Sequence, residues 1–333
     1  MADRKRVLVT GGAGFIGSHV ADAFLAGGYD VVVVDNLSSG RLPNLPDCFF
    51  VEVDIRSLEF KDLLHREHYD VVCHLAAQID VRASLSDPIQ DAATNILGTL
   101  NLLEGLRAIG SEARIIFSST GGALYGSAAV SPSPEHASKE PESPYGIAKL
   151  AAEHYLSYYA RVHRMDSIVL RFGNVYGPRQ NPLAEAGVVA IFCDRLLRLR
   201  PLTIFGDGEQ TRDYVYVEDV ARAVFQASHL SLPPLGGLDS RAFNIATGIG
   251  TSVLFLAETL KEVSKIDVPL QFEAARPGEV LNSVLQQEKA HSLGLLSATT
   301  KLRDGLAATF EWFSMQHSMH DSEPSFPLEL DQK

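Results

Sequence analysis

The sequence predicts an α/β fold, a doubly wound parallel sheet followed by a smaller C-terminal lobe. Three observations predict it. The first half alternates short apolar runs with helical periodicity, a glycine-rich turn joins the first run to the first helix, and from Asn174 proline and glycine break the chain into short segments. The runs Val7–Val9, Val31–Val34, Phe49–Val53, Val71–Leu75 and Ile115–Ser118 are rich in β-branched residues without polar alternation. Strands covered on both faces read this way. Between the first two runs lies Ile16–Ala26, where Ile16, Val20 and Phe24 recur every fourth residue, as on a helix with one buried stripe. A β-α-β-α order points to parallel strands with right-handed crossovers.

These patterns divide the chain into a domain over residues 1–173 and a lobe over 174–315, with later segments, about 214–248, also joining the sheet. Pro178, Pro182, Pro201, Pro233, Pro234, Pro269 and Pro277 punctuate the lobe, together with a Gly206-Asp207-Gly208 turn and a Leu232–Gly237 linker. Ala242–Ile245 is expected to return to the sheet as a strand, and Val253–Val263 to form a helix of the lobe. Residues 316–333 lack periodicity and are expected to be disordered. His317 and His320 there have helical ligand spacing but read better as solvated side chains.

The chain has 333 residues, 46% hydrophobic and 21% charged, enough for one or two domains with a well-buried core. Lys and Arg number 29 against 41 Asp and Glu, a net charge of −12, which disfavours nucleic acid as a partner. Cys48, Cys73 and Cys193 are far apart and lack ligand spacing, so neither a metal site nor a disulfide is expected. No leader and no apolar stretch long enough for a bilayer is visible, so the expectation is no membrane association and a reducing cytoplasmic setting.

Thr10-Gly11-Gly12-Ala13-Gly14-Phe15-Ile16-Gly17 follows the first strand directly. Glycines there let backbone approach a pyrophosphate, which rests on the unpaired N–H groups at the start of the next helix. Asp35 ends the second strand 18 residues beyond Gly17, near the ~20 expected for an acid bonded to an adenosine ribose. A carboxylate there repels a 2′-phosphate, which favours NAD over NADP, with Arg41 close enough to temper the preference.

Tyr145 and Lys149 lie four apart and so share a helix face, after Ser143-Pro144, a capping hydroxyl and a first-turn proline. A tyrosine of ordinary pKa, near ~10, is a poor base at neutral pH. A neighbouring ammonium, with the positive nicotinamide of the cofactor close by, is expected to favour the phenolate and lower it. The preceding strand ends in Phe117-Ser118-Ser119-Thr120-Gly121-Gly122, and hydroxyls at the carboxyl end of a strand reach the ligand crevice of an open sheet. One of them can bond the reacting oxygen, Thr120 first and Ser119 second.

The glycine spacing Gly11-x2-Gly14-x2-Gly17 with Tyr145-x3-Lys149 resembles the extended short-chain dehydrogenase/reductases, which have a Rossmann sheet and a C-terminal substrate lobe. Arg171-Phe172-Gly173-Asn174-Val175-Tyr176-Gly177-Pro178-Arg179, Thr203-Ile204-Phe205-Gly206-Asp207-Gly208 with Arg212-Asp213-Tyr214, and Arg276-Pro277-Gly278-Glu279 are similar to segments of the UDP-glucose 4-epimerase family. The resemblance covers roughly residues 5–315. It implies NAD as cofactor, held by Gly11, Gly14, Phe15, Ile16, Gly17, Asp35, Asn36, Ser38, Gly40, Asp54, Ile55, Leu75, Ala76, Ala77, Gln78, Asn95, Ser118, Tyr145, Lys149, Phe172 and Val175. It implies a UDP-sugar substrate held by Thr120, Tyr145, Asn174, Val188, Val189, Thr203, Phe205, Arg212, Arg276 and Glu279, and catalysis by Tyr145, Lys149, Thr120 and Ser119.

The reaction so implied inverts carbon 4 of a UDP-hexose through a 4-keto intermediate. Gly121-Gly122 stand where dehydratase relatives carry an Asp-Glu pair, so elimination of water lacks its acid and base. Ser283 falls at the family's gatekeeper position, and a small residue there implies room for N-acetylhexosamines. Rival readings are epimerisation of a UDP-uronic acid, reduction of a 4-keto sugar on the same frame, and a non-catalytic nucleotide-binding regulator. The resemblance also implies a homodimer through helices at about Asn95–Ile109 and Tyr145–Val162, the second exposing Tyr155, Tyr158 and Tyr159, with core packing of these tyrosines as the equal alternative.

Overall fold

The computed structural model describes residues 4–182, 187–276 and 280–322. Its main element is a seven-stranded sheet. In chain order the first half runs β1 (Arg6–Thr10), α1 (Phe15–Ala26), β2 (Asp30–Asp35), β3 (Phe49–Glu52), α2 (Leu58–Arg66), β4 (Val71–His74), α3 (Val81–Ser86) and α4 (Pro88–Ala92). A π-helical turn at Ala93–Leu97 leads into α5 (Gly98–Ala108), β5 (Arg114–Thr120), α6 (Pro144–His163) and β6 (Ser167–Phe172). The second half comprises β7 (Asn174–Tyr176), α7 (Val188–Leu197), β8 (Leu202–Phe205), β9 (Thr211–Tyr216), α8 (Val217–Ala227), β10 (Ala242–Ile245), β11 (Gly250–Ser252), α9 (Val253–Ser264), β12 (Leu270–Glu273), β13 (Asn282–Ser283), α10 (Glu288–Ser292) and α11 (Leu302–Ser322).

The sheet order is β10-β6-β5-β4-β1-β2-β3, and every pairing is parallel. Strand order reverses between β1 and β4, where a doubly wound sheet opens its ligand crevice. Alternation along β1 distributes the core: Val7 and Val9 pack with α1 and α8 on one face, Leu8 with α2, α5 and α6 on the other. Burial on both faces explains why these strands show no polar alternation. The expected strands and first helix all form, and Ala242–Ile245 joins the sheet beside β6.

The smaller lobe has its own core, built by α7, α9 and α11 around β8 and β9. There β9 pairs with β7, β11 and β13, while β12 pairs with β8. Asn174 begins β7 two residues beyond the end of β6, so the chain leaves the sheet at the edge of the crevice.

One expectation changes. Residues 316–322, expected to belong to a disordered tail, continue α11, whose Trp312 and Phe313 pack on the lobe's core; His317 and His320 thus sit on its last turns. The remainder of the tail, 323–333, lies outside the described residues. On α6, Tyr155 and Tyr158 are exposed, whereas Tyr159 takes the core-packing alternative, buried with its hydroxyl donating to Glu104 on α5. No helix among the described residues is long and apolar enough to cross a membrane.

Candidate active site

A cleft of ≈950 Å³, open to solvent, runs along the carboxyl ends of β1, β2, β4 and β5. At one end Gly11, Gly14 and Gly17 shape the turn into α1. Gly11 has φ +71°, and a Cβ there would lie 2.6 Å from Ala76 N; one on Gly17 would lie 2.1 Å from Gly11 O. Only glycine permits this packing. No side chain caps α1, whose first N–H groups face the cleft lined by Phe15, Ile16 and Gly17. An uncapped helix start under a glycine turn suits a pyrophosphate.

Asp35 is held by its own surroundings: Ala13 N–H donates to Oδ2 at 3.0 Å and Leu37 N–H to Oδ1 at 2.8 Å. Burial raises its pKa while these backbone donors oppose the rise. Gly40 does not line the cleft; it lets the loop pass this carboxylate, since a Cβ would lie 2.8 Å from Oδ1. Asn36, Ser38, Asp54 and Ile55 complete the wall. The Arg56 guanidinium, in the first place, holds the Asp54 carboxyl down to about 2, and Asn36 Nδ2 donates to it at 3.0 Å.

The other end of the cleft is lined by Leu75, Ala76, Ala77, Ser118, Ser119, Tyr145, Lys149 and Phe172. Gln78 and Asn95, expected here, act from below. Gln78 N–H donates to Asn95 Oδ1 at 3.0 Å and Asn95 Nδ2 donates to Gln78 O at 2.9 Å, so buried Asn95 fixes the end of the platform. Val175 packs toward the sheet core and does not border the cleft. Ser39, Val53 and Ile79, on loops or just past a strand end, and Thr94, in the π-helical turn, line it without having been expected; none has a motif of its own.

Ser143 caps α6 by accepting from Gly146 N–H at 3.1 Å, with Pro144 at the first turn, so Tyr145 and Lys149 enter the cleft together. Lys149 is buried, donates to Ser118 O at 3.0 Å and lies 4.8 Å from the centre of the Phe117 ring. Burial lowers its pKa to about 8, against the pull of Asp91 and Glu153. The Tyr145 phenol is raised, first by burial and then by Asp91, with a hydrogen bond to Thr120 opposing. Desolvation and the Asp91 charge together penalise the phenolate in the protein without its cofactor.

The two hydroxyl candidates separate. Ser119 borders the cleft, but its hydroxyl donates to Glu153 Oε1 at 2.6 Å, and Glu153 is gripped by the buried Arg171 guanidinium. Thr120, the last residue of β5, bonds Tyr145 and accepts from Ala123 N–H at 3.1 Å. A Cβ on Gly122 would lie 3.5 Å from Asn174 Oδ1 and 3.9 Å from both Thr120 Oγ1 and Ser283 Oγ. Thr120, Asn174 and Ser283 thus converge on one spot where the sheet meets the small lobe.

Farther out, Arg276 stacks on Phe205, its guanidinium 3.6 Å from the ring centre. Arg212 donates to Thr211 O at 2.9 Å beside β13. Thr203 accepts from Arg195 Nη1, which engages its hydroxyl. Val188 begins α7, half-buried, whereas Val189 is buried in the lobe's core and offers no side chain to a ligand. Glu279 lies outside the described residues.

Glycine turn, uncapped helix, an acid at the end of β2 and a Tyr/Lys pair on one crevice define a dinucleotide-binding fold of the Rossmann type. Residues 7–246 match the NAD dependent epimerase/dehydratase family, and the chain belongs to it. A UDP-glucose 4-epimerase of Mycolicibacterium smegmatis is 41% identical, covering 92% of this chain and 98% of that protein. The crystal structure of a UDP-glucose 4-epimerase from Thermotoga maritima with UDP-glucose superposes with a TM-score of 0.88 at 46% identity, covering 94% of this chain and 99% of the other. That of a Thermus thermophilus UDP-glucose 4-epimerase in complex with NAD gives 0.85 at 40% identity, covering 93% and 99%.

Proposed function

We propose that the protein interconverts UDP-hexoses by inverting carbon 4, with NAD as resident cofactor. The observation that carries this reading is Tyr145, Lys149 and Thr120 meeting at the inner end of the cleft, directly beside Asn174 and Ser283. The cradle fits NAD: Gly11 and Gly17 exclude any Cβ, α1 is uncapped, and Asp35 is already oriented by backbone donors. When bound, NAD supplies a reversible acceptor for the hydrogen on C4.

The protein's own part is to move a proton and hold the ends of the substrate. Tyr145 takes the proton of the 4-hydroxyl and later returns it. Thr120 aligns that oxygen, and Lys149 holds positive charge beside the phenol. Asn174, Arg212 and Arg276 would grip the diphosphate and nucleoside, forked donors suiting a pyrophosphate. Binding energy from that unreacting part retains the 4-keto sugar while it turns to present its other face. No acid–base pair follows Thr120, so water is not eliminated.

Ser283 is small and lies near Gly122 and Thr120, which supports acceptance of N-acetylhexosamines as well as glucose and galactose. The same reading includes a homodimer through α5 and α6, supported by exposed Ile147, Tyr155, Tyr158 and Val162, and a cytoplasmic location, supported by three free cysteines. Incubation with UDP-glucose, UDP-N-acetylglucosamine and UDP-glucuronate, followed by separation of products, tests it. Conversion of the first to UDP-galactose is expected; turnover of the uronate alone would overturn the assignment.

A further inference from the structure

Most of the buried charge around the site is paired. Glu153, one turn beyond Lys149, receives Arg171 Nη2 at 2.6 Å and the Ser119 hydroxyl, and Arg171 also reaches Asp239, which pairs with Lys139. Lys149 and Asp91 are both buried, and neither has an ion pair among the described residues; Asp35, also buried without an ion pair, is satisfied by backbone donors instead. Asp91 lies on α4, which packs on α6. Its Oδ1 receives Gln78 Nε2 at 2.9 Å and Asn95 Nδ2 at 3.0 Å, while its Oδ2 is buried without a hydrogen-bond partner in the described structure. A carboxylate left so in a desolvated place is costly unless a cation offsets it.

We propose that Asp91 is the counter-charge of Lys149 and a positioning residue for the Tyr145–Lys149 pair, keeping the ammonium charged and setting the pH range in which the pair exchanges its proton. This deepens the proposed function and rests on it for the kinetic readout only. Through Gln78 and Asn95 the same carboxylate also fixes the platform on which the cofactor lies.

The other groups facing this place leave the role to Asp91. From β4, His74 is held between the hydroxyls of Thr10 and Thr99, and burial keeps it neutral by lowering its pKa to about 3. From α6, Glu153 is matched by Arg171. Arg56 reaches Gln90, next to Asp91, but its charge is held by Asp54. From β5, the groups that meet Lys149 are uncharged, the Ser118 carbonyl and the Phe117 ring. Asp91 favours the charged form of Lys149 and disfavours the phenolate of Tyr145. Removing its charge must therefore move both ionisations to lower pH.

The test is Asp91→Asn, which keeps an acceptor for Gln78 and Asn95 and deletes the charge. Tyr145 ionisation is read from near-ultraviolet phenolate absorbance, with Tyr145→Phe as the blank, with and without added NAD. The midpoint should fall by about half a unit to one unit. Both limbs of the pH profile of kcat/KM should move the same way. An unchanged midpoint, whatever the activity, overturns the proposal. Should Asp91→Asn not fold, Asp91→Glu takes its place: a wild-type midpoint supports the charge role, and a lowered one overturns it. A wild-type protein that converts no nucleotide sugar would sink the proposed function and leave the titration standing; an unmoved titration in an active enzyme sinks only Asp91.

Discussion

Replacing each strand-end hydroxyl in turn should separate a reacting-oxygen contact from a structural one. Ser119→Ala deletes a 2.6 Å hydrogen bond to the buried Glu153 carboxylate. A bond to a charged group contributes about 1.5–3 kcal/mol, so stability should drop by about that much. Arg171 still grips Glu153 through Nε and Nη2, so the ion pair survives and kcat should change by no more than about threefold, about 0.7 kcal/mol. Thr120→Val instead removes the hydroxyl that bonds Tyr145 and leaves Ala123 N–H without its acceptor. The second loss costs about 1–3 kcal/mol of stability. The first, at the oxygen where charge develops, should cost about 10²–10³ in kcat, about 2.7–4 kcal/mol. Thr120→Ser should recover most of it. Steady-state kinetics beside chemical denaturation gives both numbers for each variant. A hundredfold loss in Ser119→Ala with Thr120→Val near wild type would refute the assignment.

Four further outcomes follow from the same geometry. Tyr145→Phe should abolish turnover while purified protein retains cofactor, seen by its absorbance after denaturation. Lys149→Met should be inactive and should change how stability depends on pH, because burial lowers the lysine from 10.5 to about 8. Between those values the unfolded chain binds the extra proton, so wild-type stability attributable to Lys149 rises with pH through that window, and thermal melts from pH 7 to 10.5 should show the rise vanish in Lys149→Met. His19 and His74 are buried with pKa values lowered to about 4 and about 3, so stability should fall as pH falls from about 6.5, and a His19→Gln/His74→Gln variant should lose less over that range in acid melts. Ser283→Tyr should fill the space beside Gly122 and abolish turnover of UDP-N-acetylglucosamine while sparing UDP-glucose; equal loss of both would contradict the specificity role.

The sheet was legible because its strands are buried on both faces and leave continuous β-branched runs, and α1 because its stripe repeats at the helical period. The cofactor end was legible for a related reason: its glycines answer a steric demand, seen at Gly11 and Gly17, that no other residue meets. What sequence left open depended on tertiary contact. Ser119 and Thr120 are neighbours in type and position, and only the pleat of β5, with Glu153 behind one and Tyr145 before the other, tells them apart. Asp91 passed unnoticed because α4 is a single short turn, although its spacing of four from Asn95 was a usable signal. The burial that raises the Tyr145 phenol has no sequence signature, whereas a lysine four residues on does. Ser283 lies on a strand two residues long, too short for any period to register.

The most direct test follows the hydrogen at carbon 4. Purified protein is incubated with UDP-galactose in heavy water, and the UDP-glucose formed is examined by proton magnetic resonance. Inversion by removal and return of the substrate's own hydrogen predicts a fully protiated C4 and no net change in nicotinamide absorbance. Deuterium at C4, or product accumulating only with stoichiometric reduction of cofactor, would contradict it.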